Sequence, residues 1–323
     1  MCKAAAAQAG PGCSTVSVLF EPRMKILLFG KNGQLGWELQ RSLAPLGEVL
    51  APDRHDLDFC GDLLDLDGLK DTVMRVQPDV IVNAAAYTAV DRAESDAAAA
   101  HAVNARAPGV LAEAAGALGA WLVHYSSDYV FDGSGTRPWA EGDVTGPLSI
   151  YGKTKLEGER RVRAACPQHL ILRSSWVYSA RRDNFAKNML RLAGAQEALT
   201  VVNDQFGAPT GADLLADITA HMLIRAREAG DATLSGTYHA AAAGETSWHG
   251  YATFVIEMAC AAGVLPQTRS ITVKPTPSAA FPTPARRPHN SRLDTAKLQN
   301  AFGLHLPAWQ RGVARMLEEM RGC

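Results

Sequence analysis

The feature that most narrows the fold is a glycine-rich turn set between a short apolar run and a helical stretch. Ile26-Leu27-Leu28-Phe29 leads directly into Gly30-Lys31-Asn32-Gly33-Gln34-Leu35-Gly36, and a helical segment from about Trp37 to Leu43 follows. A continuous apolar run of that length fits a strand buried on both faces of a parallel sheet. The G-x-x-G-x-x-G spacing gives each glycine its own task. Gly30 permits a tight turn, Gly33 lets backbone approach a pyrophosphate, and Gly36 lets helix pack close on strand. The helix N-terminus then faces the phosphates with its partial positive charge. A glycine turn without a ligand has the same composition, but the strand before it and the helix after it favour the nucleotide reading. Gly30, Asn32, Gly33, Gln34, Leu35 and Gly36 are therefore the expected phosphate site.

The same alternation continues along the chain. A second short strand over 48–51 ends at Asp53-Arg54-His55, where a dinucleotide fold reads the adenosine ribose. Asp53 suits a free 2′-hydroxyl, while Arg54 or Lys31 suits a 2′-phosphate, so NADH and NADPH both stay open. Asp62-Leu63 comes next; its carboxylate either accepts from the adenine amine or caps a helix near 66–76. A third strand over 79–83 ends in Ala84-Ala85-Ala86-Tyr87-Thr88, whose alanines leave room for a flat ligand. An Ala-rich helix over about 92–117 carries Asn104, which either bridges backbone groups near the site or is solvated. A fourth strand (121–125) delivers Ser126 and Ser127, and a fifth (170–173) precedes the 174–178 stretch. With no internal repeat, this order predicts an α/β fold, a Rossmann-type doubly wound parallel sheet over residues 24–180. Ligands in such sheets bind outside the strand C-termini, and residues 30–36, 84–88, 126–128 and 174–178 all sit at such ends.

Chemistry enters with Tyr151-Gly152-Lys153-Thr154-Lys155, at the head of a segment rich in Glu, Lys and Arg. A tyrosine and a lysine four residues apart on a helix share a face, one turn apart. A phenol titrates near ~10 in water. An ammonium one turn away favours the phenolate, which lowers that pKa toward the working range. Ser127, from a neighbouring strand end, suits holding a carbonyl oxygen against the phenol. The three together suit proton transfer to or from a carbonyl or alcohol oxygen. The Tyr/Lys pair alone is a weak signal, and the nucleotide motif upstream gives it weight.

Beyond residue 180 the pattern changes. Helical stretches at 184–192, 211–227, 248–262, 294–301 and 308–320 alternate with extended pieces at 200–202 and 237–239 and with a proline-rich loop at 275–288. Residues 181–323 read mainly as a smaller C-terminal α/β substrate lobe, with some return to the first domain. Arg286, Arg287 and Arg292 are candidates for a diphosphate, with solvated surface arginines as the ordinary alternative. Trp176 and Trp248 suit stacking on a base or sugar, or core packing. The net charge of -1 argues against a surface that coats nucleic acid. No apolar run approaches the ~18 residues of a membrane span. Cys2, Cys13, Cys60, Cys166, Cys260 and Cys323 are scattered, with no C-x-x-C pair. They fit free thiols in a reducing cytoplasm and no structural metal. Residues 1–23 lack periodicity and make a poor secretory signal, so they read as a disordered tail or a misassigned start.

The glycine motif, Asn83-Ala84-Ala85-Ala86, Ser126-Ser127-Asp128-Tyr129-Val130-Phe131 and Tyr151 to Lys155 together resemble the extended short-chain dehydrogenase/reductase superfamily. Within it the chain is similar to the dTDP-4-dehydrorhamnose reductases over roughly residues 24–320. Ser175-Trp176-Val177-Tyr178, the 203–210 stretch NDQFGAPT, Arg287-Pro288 and Asn290-Ser291-Arg292-Leu293 extend that likeness into the lobe. The resemblance implies NAD(P)H-dependent reduction of the 4-keto group of dTDP-4-dehydro-L-rhamnose. That is the last step of dTDP-L-rhamnose synthesis for cell-surface polysaccharide, carried out by a homodimer. It implies Tyr151 as proton donor and Lys155 as the ribose ligand that lowers the phenol's pKa. Ser127 supplies the hydroxyl, where the family more often has threonine. Asp128 and Trp176 match positions that contact the sugar nucleotide, and Tyr125, Tyr151 and Lys155 complete the expected cofactor contacts. Glu38, Asp213 and Glu319 correspond to carboxylates that hold Mg²⁺ near the subunit interface of related dimers. A dehydratase of the same fold would need an acid where Tyr129 stands. An epimerase is not separated on chemistry alone, although 203–210 favours the reductase. A non-catalytic NADP-binding regulatory subunit is the alternative of another class, and the presence of Ser127, Tyr151 and Lys155 together counts against it.

Overall fold

The apolar runs pair into a six-stranded sheet in which every neighbour is parallel. In the computed structural model, residues 24–230, 232–265 and 271–321 are described, so the expectation for residues 1–23 lies outside them. The strands are β1 (Met24–Phe29), β2 (Gly47–Leu50), β3 (Val80–Asn83), β4 (Trp121–Ser127), β5 (His169–Ser174) and β6 (Gly236–His239). Their order across the sheet is β6-β5-β4-β3-β1-β2. The chain therefore leaves β1 toward β2 on one side and returns to β3 on the other. That reversal opens a crevice at the C-terminal ends, where the glycine turn emerges.

Alternation along each strand builds two cores. Ile26 and Leu28 of β1 face α1 (Gln34–Leu43), whose Leu39 and Leu43 are fully buried. Leu27 and Phe29 face the other way, toward α2 (Leu66–Val76). On that second face, α3 (Ala97–His101) runs through a π-helical turn, Ala102–Arg106, into α4 (Ala107–Leu118), and α5 (Ile150–Ala165) packs beside it. The single long helix expected over 92–117 is thus divided, and a separate turn, Val90–Ala93, precedes it. Pro108 gives one reason. In an unbroken α-helix its ring would clash with the Asn104 carbonyl four residues back, whereas it fits the first turn of α4.

The lobe has its own core, built by α6 (Phe185–Ala195), α8 (Trp248–Ala261) and α10 (Trp309–Arg321) around Tyr251, Val255, Trp309 and Val313. A parallel pair, Ala198–Val202 with Thr272–Thr276, covers one side. The part of the second half that returns to the sheet consists of β6, α7 (Ala212–Ala229) and α9 (Ala296–Phe302). Leu215, Ile218 and Met222 repeat at helical spacing and pack under the strands, which pulls α7 out of the lobe. No helix among the described residues is long and apolar enough to cross a membrane.

One buried ion pair ties the strand ends to α5. Glu159 is fully buried and accepts from Arg173 Nε and Nη2 (2.8 and 2.7 Å), from Ser126 Oγ (2.6 Å) and from Arg163 (3.1 Å). Removing one partner of such a pair leaves an uncompensated charge out of water. Arg173→Met is expected to cost about 3–5 kcal/mol in urea denaturation, and pairing it with Glu159→Leu to recover most of that loss. A loss below ~1 kcal/mol in the single variant would mean that the pair is not what holds these ends.

Candidate active site

Gly30 ends β1 with φ +89°, in the left-handed region. A Cβ there would lie 2.7 Å from the Ala85 amide nitrogen, and one on Gly36 would run into the Gly30 carbonyl oxygen. Strand, turn and helix can approach this closely only without side chains. Gly33 is the N-cap of α1 and supplies no side-chain cap, so the amides of Gln34, Leu35 and Gly36 are left for a ligand. Beside them is a cavity of about 470 Å³ lined by Asn32, Gly33, Asp53, Asp62, Leu63 and Ala85 among others. Asp53 is held below the usual carboxylate range, first by the His55 amide and then by Lys31 at 3.3 Å. Arg54 stands 3.8 Å from Asp62. The cap of α2 is Asp65, whose carboxylate accepts from Gly68 N at 2.9 Å, so the capping alternative for Asp62 falls away. Orphan amides, a cradle that any Cβ would fill and a cavity of this size fit a dinucleotide.

The far wall is fixed by Asn104. Its side chain accepts from Tyr87 N (2.9 Å) and donates to Tyr87 O (3.1 Å), clamping the backbone after Ala84, Ala85 and Ala86. The π-helical turn sets Asn104 facing that loop. Thr88 lies exposed beyond it.

The chemical end forms where β4 meets α5. Ser149 caps α5 by accepting from Gly152 N (3.1 Å), which starts the helix at Ile150 and places Tyr151 in its first turn. Ser127, the last residue of β4, donates to Asp128 Oδ1 at 2.9 Å, and its hydroxyl lies close enough to the Tyr151 phenol to lower the phenol's pKa. One turn on, buried Lys155 donates from Nζ to the Tyr125 carbonyl oxygen at 2.5 Å. Tyr125 brings only that carbonyl. Its ring lies in the core below the sheet, and its hydroxyl is bonded to Thr219 at 2.6 Å.

The electrostatics differ from the expectation of a lowered phenol. Burial first, then the Asp128 carboxylate, push Tyr151 up to about 12, with the nearby Ser127 hydroxyl pulling against them. The Lys155 ammonium is turned to a carbonyl instead, and burial lowers it to about 8 while Glu159 supports its charge. Burial also raises Asp128 to about 6, against the hydrogen bonds from Ser291 and Ser127. Asp128 Oδ2, and Ser174 Oγ paired across from Ser127 in the β4–β5 register, are buried without a protein partner. A bound polar ligand would satisfy both.

Two residues past Ser174, Trp176 takes φ +50°, a strained value for a bulky side chain. Its ring stacks on Trp248 (3.7 Å between centroids, 14° between planes), so Trp248 backs Trp176. Of the three arginines, Arg287 is paired with Asp91 (2.6 and 3.0 Å). Arg292 is paired with Glu245 (2.5 Å) and lies over Phe206, while Arg286 is exposed. Glu38, Asp213 and Glu319 do line one cavity, of about 430 Å³. Asp213 is bound to Arg315 (2.5 Å) and Glu38 lies 3.4 Å from Arg41, and no metal-binding group of three acid, His or Cys residues exists among the described residues. The donor set of one chain does not fit a divalent cation.

Residues 24–322 match the family model described as the RmlD substrate binding domain. The dTDP-4-dehydrorhamnose reductase of Shigella flexneri is 55% identical over 297 residues, which cover 92% of this chain and 98% of that one. The chain belongs to the dTDP-4-dehydrorhamnose reductase family. Among solved structures, the Clostridium acetobutylicum reductase covers 92% of this chain and all of its own, with a TM-score of 0.83 and 34% identity. A Bacillus anthracis reductase solved in complex with NADP gives 0.81 and 30%, covering 92% of this chain and 99% of its own.

Within this family member, Ser291 and Arg182 were not singled out from the sequence, whereas Ser174 fell within the strand-end stretch 174–178. Ser174 and Ser291 meet Asp128's surroundings only through tertiary packing. Arg182 lines the cofactor cavity from 150 residues beyond Asn32, and no local spacing announces that approach.

Asp128 offers a pH test. Folding raises its pKa from 3.8 to about 6. Between those values the folded chain keeps a proton that the unfolded chain has released, so stability falls as pH rises through the window. Relative to Asp128→Asn, the wild type is expected to lose on the order of 2 kcal/mol between pH ~4 and ~6.5 in denaturant titrations. Parallel curves would mean that Asp128 is not raised.

Proposed function

We propose that this chain reduces the 4-keto group of dTDP-4-dehydro-L-rhamnose to give dTDP-L-rhamnose, with NADH or NADPH as reductant. The observation that carries the reading is the meeting of Ser127, Tyr151 and Lys155 at the end of β4, beside a nucleotide cavity at the end of β1. The names of its family relatives supply the substrate. A bound reduced nicotinamide supplies the hydride for the carbonyl carbon. Everything else falls to the chain's own side chains. Ser127 holds the carbonyl oxygen beside Tyr151, and Tyr151 gives that oxygen its phenolic proton, so that C=O becomes CH–OH. A phenol pushed up to about 12 is fully protonated at neutral pH, as a proton donor must be. Lys155, at about 8, remains mostly charged there and steadies the phenolate left behind. Asp128 Oδ2 is placed to accept from a sugar hydroxyl, and the Trp176 face to pack on the pyranose.

In this reading residues 24–180 bind the dinucleotide and 181–323 mainly bind the sugar nucleotide. The free thiols Cys60, Cys166 and Cys260 support a reducing cytoplasm as its setting. A homodimer belongs to the proposal too. Its support is the exposed Trp37 beside the cavity that gathers Glu38, Asp213 and Glu319. Sedimentation at micromolar concentration should give twice the 34.5 kDa chain mass, and a single-chain mass would remove the dimer.

Oxidation followed at 340 nm, with the 4-keto sugar nucleotide made in situ and each cofactor in turn, tests the activity. Turnover that depends on the sugar nucleotide is expected. Cofactor binding without turnover would instead favour a regulatory role. Tyr151→Phe should lower kcat by about 10²-fold or more with cofactor affinity kept. Lys155→Met should lower both, and an effect on neither would end its double role.

A further inference from the structure

We infer that Arg182 is a pyrophosphate-binding residue of the dinucleotide site, brought to it by the segment that enters the lobe. The inference rests on the cofactor reading above. Residues 179–184 join the short strand Val177–Tyr178 to α6 and fold back over the start of α1. Gln34 anchors them: its Oε1 accepts from Ser179 Oγ at 3.1 Å and from Asn184 Nδ2 at 3.3 Å. The Arg181 guanidinium lies over the Trp37 ring, 3.4 Å from its centroid. Between these anchors Arg182 adopts φ +62°, a left-handed backbone that a β-carbon disfavours. Such a conformation persists when the surroundings over-determine it, and here it aims the side chain at the glycine turn.

Arg182 Nε donates to the Asn32 carbonyl at 2.9 Å, inside the turn that precedes the orphan amides of α1. That bond fixes the plane of the guanidinium and leaves both Nη groups without a partner among the described residues. Charge balance in the cavity points the same way. Lys31 is paired with Asp53 and Arg54 with Asp62, whereas Arg182 has no carboxylate partner among the described residues. An anion placed at the helix N-terminus therefore finds one uncompensated guanidinium beside it, with two donors in a fixed plane. The ribose end of the cavity, at Asp53 and Arg54, lies on the next strand's exit. The group that Arg182 faces is the one bound by the turn itself, which is the pyrophosphate.

Gln34, expected from sequence as a cofactor ligand, takes a second part here. Its amide nitrogen remains at the helix start, while its side chain holds the segment that carries Arg182.

The test uses the full chain and direct binding. Arg182→Gln keeps a donor for Asn32 but removes the charge, and Arg182→Gly relieves the left-handed backbone. Dissociation constants for NADH, NADPH and adenosine are measured by calorimetry. Both variants should bind NADH and NADPH more weakly by a common factor, about 5- to 30-fold, with adenosine affinity unchanged. The wild type should also show the steeper salt dependence. Thermal unfolding of Arg182→Gly at or above the wild-type temperature would separate lost binding from lost folding. Unchanged affinity for both dinucleotides would overturn the assignment, as would a loss confined to NADPH, which would move Arg182 to the 2′-phosphate. Failure of the reductase reading is distinguishable. Wild-type enzyme that binds dinucleotide but reduces no sugar nucleotide would sink the function while leaving this comparison of affinities intact.

Discussion

A lysine ammonium taken out of water governs the chemistry of this site. Lys155 is 2% exposed, and withdrawing such a charge costs several kcal/mol unless its donors are met. Here one donor goes to the Tyr125 carbonyl and Glu159, a turn further along α5, supplies the opposing charge. Neither partner is free to move. Tyr125 is fixed through its ring in the core, and Glu159 by Arg173, Arg163 and Ser126. The position of Lys155 therefore depends on the packing of both faces of the sheet. Tyr151 and Asp128 inherit the same dry surroundings, which keep the phenol protonated and bring the carboxyl up toward neutrality. Polarity is concentrated where water is excluded, the condition under which preorganised groups act most strongly.

The lobe is joined to the sheet at several points around the same crevice. Arg287 reaches Asp91 near the start of the single turn after β3. Trp139 Nε1 donates to the Asn290 carbonyl oxygen at 3.0 Å, and residues 179–184 sit on α1. One of these contacts is ionic and none is large. Such an arrangement holds the lobe in register without a deep shared core, consistent with separate hydrophobic clusters for lobe and sheet.

Much of this was legible in the sequence because it is local. The Ile26–Phe29 run, the glycine spacing and the Tyr151/Lys155 interval are patterns of an unbroken apolar strand, of tight turns and of helical rise, and each reads without knowing the fold. What the sequence left open depended on distance in the chain. Asp62 looked able either to reach the adenine or to cap α2, and only the oxygen positions show that Asp65 takes the cap. The phenol's pKa followed the nearest residue in the helix on paper, whereas burial and Asp128 dominate in the structure. Arg182 was invisible for the same reason: nothing at its own position says that it will meet Asn32.

The π-helical turn at Ala102–Arg106 bears on how the chain tolerates change in length. Hydrogen bonds from i to i+5 hold one more residue per turn than those of an α-helix. Deleting a single residue there would bring α3 into the α-helical register of α4 and leave Pro108 inside that helix, where its ring meets the carbonyl four residues back. The upstream part would then rotate by about 100° relative to the downstream part. Asn104 would turn away from Tyr87, and the loop after β3 would lose the clamp on both its amide and its carbonyl. A shortening by one residue would thus dismantle one wall of the cofactor site, so the surplus residue acts as a register pin rather than a defect.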